Sequence, residues 1–108
     1  MDDRSNCLTV IAGMTSGADS SRKLAVYHLQ TLVADSSFAN AFYQADGLPI
    51  LTKIVVEENG NALAYALGSL TRLLEMQVGW ESINQAIIDR VRDNTTRYYF
   101  ALLKHEFP

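Results

Sequence analysis

The residue types that most often carry chemistry are sparse in this 108-residue sequence. Its histidines are His28 and His105, and its only cysteine is Cys7. His28 lies at the edge of an apolar helix face, with no cysteine, second histidine or carboxylate at ligand spacing, so we expect a structural or surface role. His105 lies near the C-terminus and is a weaker candidate for a functional residue than His28. Cys7 has only Arg4 as a basic neighbour in sequence, which argues against a reactive thiolate.

The acidic residues and the glycines form no catalytic pattern either. Glu57 and Glu58 are adjacent, and neighbouring side chains on a helix diverge by about 100°, so these carboxylates do not converge on one substrate. The glycines never form a phosphate-cradling loop. Gly68, inside a helix pattern, costs about 1 kcal/mol relative to alanine, which favours close helix packing or room for a ligand. We predict a protein that is not an enzyme, with no catalytic, metal or cofactor site.

Composition and charge narrow the class of protein. The chain has 48% hydrophobic and 19% charged residues, which is typical of one small globular domain. Its net charge is −3, and its nine lysines and arginines are scattered, which argues against a nucleic-acid binder. A single cysteine and the lack of a secretory segment indicate a reducing compartment. The longest dense apolar run, residues 48–56, is too short to span a bilayer. We expect a cytoplasmic protein.

The spacing of apolar residues predicts helices separated by polar or glycine breaks. Ser20 and Ser21 are candidate N-caps of the second helix, and Asp35-Ser36-Ser37 is a hinge and a cap before the third. Gly47 is the candidate left-handed residue that ends the third helix. The β-branched run at residues 54–56 could form a strand, but Pro49 and the flanking glycines favour a helix. The predicted helices cover residues 6–14, 22–34, 38–45, 48–58 and 61–77, and a sixth begins at Trp80.

The longest of these patterns, residues 61–77, predicts a helix with two faces. Its apolar stripe is Leu63, Leu67, Leu70 and Leu74, and its opposite side holds Asn61, Tyr65, Gly68, Ser69 and Arg72. Because aromatic residues and arginines are enriched at interface hot spots, this polar side is a candidate protein-binding face. A solvated helix face is the alternative. Trp80, beyond the helix, is expected to be a core anchor.

Two segments of the chain repeat each other. Leu29, Leu32 and Val33 align with Leu70, Leu73 and Leu74 at an offset of about 41 residues, within the range of armadillo and HEAT units. The order of short, middle and long helix within one unit is the armadillo arrangement. The long helices would line the inner surface of the superhelix. The predicted protein-binding residues are Tyr27, Thr31, Tyr65, Ser69 and Arg72.

We therefore predict an all-α, armadillo-like helical repeat stack, an α-solenoid fragment of about two units. The stack covers residues 1–91, and residues 92–108 form a C-terminal helical tail. The tail is too apolar for free solvent, so it either caps the last helix or forms a dimer surface; its apolar residues are Tyr98, Tyr99, Phe100, Leu102, Leu103 and Phe107. Because about three repeats are usually needed for stability, apolar end faces should be exposed, and we expect self-association or marginal stability.

Residues 34–91 resemble the armadillo-like region near the N-terminus of the engulfment-and-cell-motility (ELMO) family. The resemblance ends after Val91. Five motifs carry it: Phe38-Ala39-x-x-Phe42, Gly47-Leu48-x-x-Leu51-x-x-Ile54, the helix Leu63–Leu67, the segment Leu73–Met76 and the turn Gly79–Glu81.

The resemblance implies a cytosolic scaffold. Family members act with an exchange factor of the DOCK type to activate the small GTPase Rac, which drives actin remodelling, engulfment and migration. Their N-terminal half binds an upstream GTPase and takes part in autoinhibition, so a Rho-family GTPase is the candidate partner. The sequence does not contain the ELMO domain, the PH domain or the proline-rich tail, so contact with the exchange factor is not implied. The alternatives are a structural or oligomerising armadillo-like fragment, or a formin-type regulatory region, without GTPase binding.

Overall fold

The computed structural model describes residues 3–93, and all of their regular structure is helical. The helices are α1 (Asp3–Met14), α2 (Asp19–Leu32), α3 (Ser36–Gln44), α4 (Gly47–Glu57) and α5 (Gly60–Glu75). A 3-10 turn follows at Trp80–Ser82, and residues 85–93 are helical again. The all-α prediction is confirmed, and the strand alternative at residues 54–56 is wrong because they lie in α4. The predictions for His105 and for the apolar tail lie outside the described residues.

The internal repeat extends further than its leucines indicated. At an offset of 41 residues, α1 and α2 superpose in sequence on α4 and α5, and buried residues fall on buried residues. The matched pairs are Cys7 with Leu48, Val10 with Leu51, Met14 with Val55, Ala25 with Ala66 and Leu29 with Leu70. The fold therefore has two layers, α1–α2 and α4–α5, with α3 supplying the short first helix of the second unit. This is the predicted armadillo order.

Helix boundaries follow local chemistry. Asp35 is the N-cap of α3, and its carboxylate accepts a hydrogen bond from the Ser37 backbone N–H at 2.9 Å, as its place before that helix predicted. The N-cap prediction for Ser20 and Ser21 is wrong: the N-cap of α2 is Ala18, and both serines lie inside the helix. The helix starts earlier because Asp19 provides an acidic residue in its first turn.

The turn between α3 and α4 corrects another prediction. The left-handed residue is Asp46, with φ of 59°, and Gly47 is already the first residue of α4. Aspartate tolerates this conformation better than most side chains. Gly47 is needed for space instead, because a Cβ built there would overlap the ring of the buried Phe42.

The end of α5 is closed by a Schellman motif. Gln77 adopts the left-handed conformation with φ of 65°. Its backbone N–H donates to the carbonyl of Leu74 at 3.0 Å, and that of Val78 donates to the carbonyl of Leu73 at 2.9 Å. Two carbonyls of the last turn thereby gain partners.

The turn after α5 holds Trp80, which was predicted to be a core anchor. That prediction is wrong: Trp80 is 56% exposed, and its indole N–H donates to the Leu74 carbonyl at 3.2 Å. The turn has only three residues, so no helical face is present to carry the ring inward. Ile87, in the helical stretch 85–93, is the buried residue of this region.

Two arginines join separate elements to the end of α4. Arg22 of α2 donates from Nε to the Glu58 carboxylate at 2.8 Å and from Nη1 to the Ser16 carbonyl at 2.8 Å. Arg90 donates from Nε to the Val55 carbonyl at 3.0 Å and also contacts the carbonyl of Glu58. A cation at a helix C-terminus is favourable because the last carbonyls carry partial negative charge, so Arg90 anchors residues 85–93 to the second layer.

The two long helices pack side by side and run in the same direction. The rings of Tyr27 and Tyr65 meet at a centroid distance of 5.3 Å, and three residues further along each helix Gln30 covers Gly68. Because both contacts advance together along the two helices, α2 and α5 are parallel, as expected for equivalent helices of adjacent repeats.

The buried face of α5 differs from the predicted leucine stripe. Leu63 and Leu70 are buried, whereas Leu67 and Leu74 are only partly buried. The rest of the buried face consists of Ala66, Ser69 and Leu73. The face is rotated because α5 packs against α2 as well as α4, and small residues allow the close approach to α2.

Replacement of Gly68 by alanine is expected to be neutral or to raise the free energy of unfolding by up to about 1 kcal/mol. The added Cβ would meet only the terminal amide of Gln30, which is the far end of a flexible side chain and can move. Urea unfolding followed by circular dichroism measures the change. A loss of more than about 1 kcal/mol would show that the Gln30 amide is held in place and that the packing at Gly68 is tight.

Candidate protein-interaction surface

The candidate site lies where α2 and α5 meet and is called here the α2–α5 surface. Tyr27 and Thr31 reach it from α2, and Tyr65 and Arg72 reach it from α5. The side chains of Tyr27, Thr31 and Arg72 are exposed, and Tyr65 is partly buried. The exposed fraction of Tyr27 is 48%. The fold thus places four of the five predicted protein-binding residues on one accessible surface.

The tyrosine pair is the centre of the α2–α5 surface. The two rings cross at 72° with centroids 5.3 Å apart, which is the edge-to-face arrangement that aromatic quadrupoles favour. Such a pair fixes two large side chains before a partner arrives, so a partner pays less conformational entropy on binding. The imidazole of His28 also contacts Tyr27 in an edge-to-face arrangement, with ring centroids 5.7 Å apart.

Ser69 does not belong to the accessible surface. It is fully buried, and its hydroxyl donates to the Tyr65 carbonyl at 2.9 Å. The prediction that it lies on the exposed face is wrong because the α2–α5 contact covers that side of the helix. Ser69 acts as a small residue in the contact and satisfies its hydroxyl within its own helix.

Arg72 and Thr31 lie beyond the tyrosine pair towards the C-terminal ends of the two helices. The parallel contact sets residue 68 of α5 beside residue 30 of α2, so Arg72 lies about one helical turn further along than Thr31. Both side chains are exposed. The structure brings Tyr27 and Tyr65 into direct contact and leaves Thr31 and Arg72 available around them.

Two residues next to the α2–α5 surface, Gln30 and Lys23, are not among the predicted protein-binding residues. Gln30 lies one turn beyond Tyr27 with its amide over Gly68, and Lys23 lies one turn before Tyr27, exposed to solvent. The spacing of four residues places Lys23 on the side of Tyr27 in the sequence pattern, and the spacing of three is the signal that could have placed Gln30 there.

The residues considered above as candidates for catalysis, Cys7, Glu57 and Glu58, do not form a common site in the structure. Cys7 is fully buried, and its thiol contacts the Phe38 carbonyl at 3.9 Å. Burial raises the pKa of that thiol, and the carboxylate of Asp3 raises it further, so the protonated form is favoured. Glu58 pairs with Arg22, whereas Glu57 is exposed. Within residues 3–93, no three histidine, cysteine or acidic residues cluster closely enough to hold a metal ion.

A cleft of about 670 Å³ lies away from the α2–α5 surface. It is formed by the end of α1 with the turn after it, by Arg22 of α2 and by α4. Its lining includes the buried side chains of Met14 and Ile54 and the exposed side chains of Lys53 and Glu57. It has no counterpart among the residues selected from the sequence, because residues from three separate segments line it.

A contact between α3 and the 3-10 turn holds the end of the second layer. Tyr43 hydrogen-bonds to the carboxylate of Glu81, which raises the pKa of the tyrosine and lowers the pKa of the glutamate. Both groups lie at the surface, so the contact positions the turn rather than forming a reactive pair.

None of the helices within residues 3–93 has the length and apolar character needed to cross a bilayer. Comparison with curated proteins and with solved structures gives no match.

One family model does match, that of the ELMO armadillo-like helical domain, over residues 37–101. The match begins close to the predicted start of the resemblance at residue 34 and continues ten residues beyond Val91, so the prediction that the resemblance ends there is wrong. It covers α4, α5 and nearly all of α3, the helices that form the complete three-helix unit. Because the matched segment is more than half of the chain, this protein belongs to the ELMO armadillo-like helical domain family.

Proposed function

We propose that this chain is a non-catalytic protein-interaction module that acts in Rho and Rac GTPase signalling to the actin cytoskeleton, in the cytoplasm. Membership of the ELMO armadillo-like family supports the module, and the family's association with engulfment and cell motility supports the pathway. The observation that carries the binding role is the pair formed by the exposed Tyr27 and the partly buried Tyr65, with Arg72 further along the same surface.

The partner we propose is a Rho-family GTPase that contacts the α2–α5 surface. The surface combines a preformed aromatic pair with a nearby arginine, and these residue types dominate the energetics of protein interfaces. Repeat stacks bind partners along the extended surface that their successive units form. Formin-type regulation remains the less favoured alternative, because the family match is to the ELMO domain.

Charge reversal at Arg72 tests the proposal. In a pull-down with GTP- and GDP-loaded Rho-family GTPases, we expect the wild-type protein to bind the GTPase in only one of the two nucleotide states. The Arg72→Glu variant should bind at least about tenfold more weakly, the size of effect expected at an interface hot spot. Arg72 is exposed, so the substitution should leave the fold unchanged by circular dichroism.

Lys53→Glu is the matched control, because Lys53 is an exposed cation on α4 away from the α2–α5 surface. Equal weakening by both variants would indicate a general charge effect and would contradict a contact at Arg72. Absence of binding to every GTPase in both nucleotide states would contradict the GTPase role itself.

A second proposed role is self-association through the outer face of the first layer. Leu8 of α1 and Leu24 of α2 are 54% and 57% exposed. By the 41-residue repeat, Leu24 is equivalent to Tyr65, which packs on the long helix of the preceding unit. In the described structure the face around Leu24 meets no equivalent helix, so a second copy of the chain is the proposed partner for it.

A further inference from the structure

We infer that residues 85–93, called here the strap, are releasable and that their attachment is controlled from the first layer through Glu58. The inference is independent of the proposed binding role of the α2–α5 surface. It rests on two arginines, Arg22 and Arg90, that contact Glu58 from different parts of the fold, and on how little of the strap is buried.

Few side chains attach the strap to the rest of the described structure. Ile87 is its one buried residue, and Ile88 and Val91 are 46% and 43% exposed. Arg90 is the residue that connects the strap to the second layer by hydrogen bonds. A segment with so little buried apolar surface opens at a lower free-energy cost than the core helices do.

Arg90 bonds to the last turn of α4 and to the loop that follows it. Its Nε donates to the Val55 carbonyl at 3.0 Å, and its Nη2 donates to the Glu58 carbonyl. The same Nη2 donates to Oδ1 of Asn59 at 3.2 Å. Glu58 and Asn59 lie between α4 and α5, outside both helices. A change in the backbone of this short loop would therefore weaken the attachment of the strap.

The first layer holds the side chain of Glu58. Its carboxylate accepts a hydrogen bond from Nε of Arg22 at 2.8 Å, and the two side chains are only 22% and 24% exposed. The guanidinium of Arg22 also donates from Nη1 to the Ser16 carbonyl at 2.8 Å, and it contacts Asp19. The turn before α2 thus sets the position of Arg22, and Arg22 in turn sets the position of Glu58.

Glu58 couples the two ends of the described chain because different atoms of one residue serve each end. Its carboxylate belongs to the contact with Arg22, and its carbonyl belongs to the contact with Arg90. Lys23 lies beside Glu58, but an ammonium group lacks the fork geometry that lets Arg22 bond in two directions. A ligand that engaged Arg22 would free the loop, weaken the contacts of Arg90 and expose Ile87.

Hydrogen exchange followed by mass spectrometry on the full chain tests the inference. Arg22→Met should raise the exchange rate of the strap amides roughly threefold, the effect of losing one partly exposed ion pair. Glu58→Gln should do the same, because it removes the charge and keeps the carbonyl that Arg90 uses. The double variant should raise the rate no further than either single variant, because both remove the same contact.

Two further variants serve as controls. Arg90→Met should raise exchange in the strap and leave the start of α2 unchanged. Lys53→Met should leave the strap unchanged, because Lys53 is an exposed cation of α4 that forms no ion pair with another of residues 3–93. A rise in α2 without a rise in the strap after Arg22→Met would overturn the inference. An equal rise in α1 and α3 would indicate a general loss of stability and would overturn it as well.

Discussion

Gly47→Ala is expected to lower the free energy of unfolding by about 1–3 kcal/mol, the range for overpacking a filled core. The added Cβ would overlap three ring carbons of Phe42. That ring is fully buried and stacks on Phe38, with centroids 6.3 Å apart and planes 16° apart. Unlike the end of a flexible chain, a packed aromatic ring cannot turn away, so α3 and α4 would have to separate.

Urea unfolding measures this loss, and Gly68→Ala is the matched control. Both substitutions add one methyl group to a helix and gain helix propensity. They differ in what the methyl group meets, a buried ring at Gly47 and a flexible amide at Gly68. The urea concentration at the unfolding midpoint should fall for Gly47→Ala and should stay the same or rise for Gly68→Ala.

A double-mutant cycle identifies the cause of the Gly47 effect. In a Phe42→Leu background, the smaller side chain leaves room for the new Cβ, so Gly47→Ala should cost less than in the wild type. An unchanged cost would contradict the ring overlap and would assign the effect to the backbone of the turn after Asp46.

Leu24→Asp is expected to convert a self-associating protein into a monomer. Burying a leucine contributes about 1.5–3 kcal/mol, and the charged replacement removes that gain and resists desolvation. Sedimentation velocity over a range of concentrations should show the wild-type sedimentation coefficient rising with concentration and the variant remaining at the monomer value. The change in association constant should be at least tenfold, because 1.4 kcal/mol corresponds to about a factor of ten.

Val56→Asp provides the control for a general effect of added charge. Val56 is also an exposed apolar residue, 40% accessible, but it lies on α4 in the second layer. Equal dissociation by both variants would contradict a specific contact at the first layer. A wild-type protein that stays monomeric at every concentration would contradict self-association. The alternative expectation, a monomer of marginal stability, would then apply.

The helices and their order could be predicted from the sequence because these depend on local patterns. Leucine spacing identified α5, Asp35 identified the start of α3, and the 41-residue offset identified α2 and α5 as equivalent helices. The motifs between residues 34 and 91 were sufficient for the family resemblance, and the match over residues 37–101 confirms it. Periodicity and capping act within a few turns of chain, so one sequence contains them in full.

The tertiary structure decided which side of each helix remains accessible. Ser69 was grouped with Tyr65 and Arg72, yet the α2–α5 contact buries it and leaves the other two accessible. Trp80 was expected inside and is exposed, and Gly47 was expected to turn the chain when it makes room for Phe42. The burial of Ser69 depends on contacts between residues far apart in the chain, such as Tyr27 with Tyr65. A helix's own pattern shows that it has an apolar face, but only the neighbours that pack against it determine how wide the buried face is and which polar side chains lie within it.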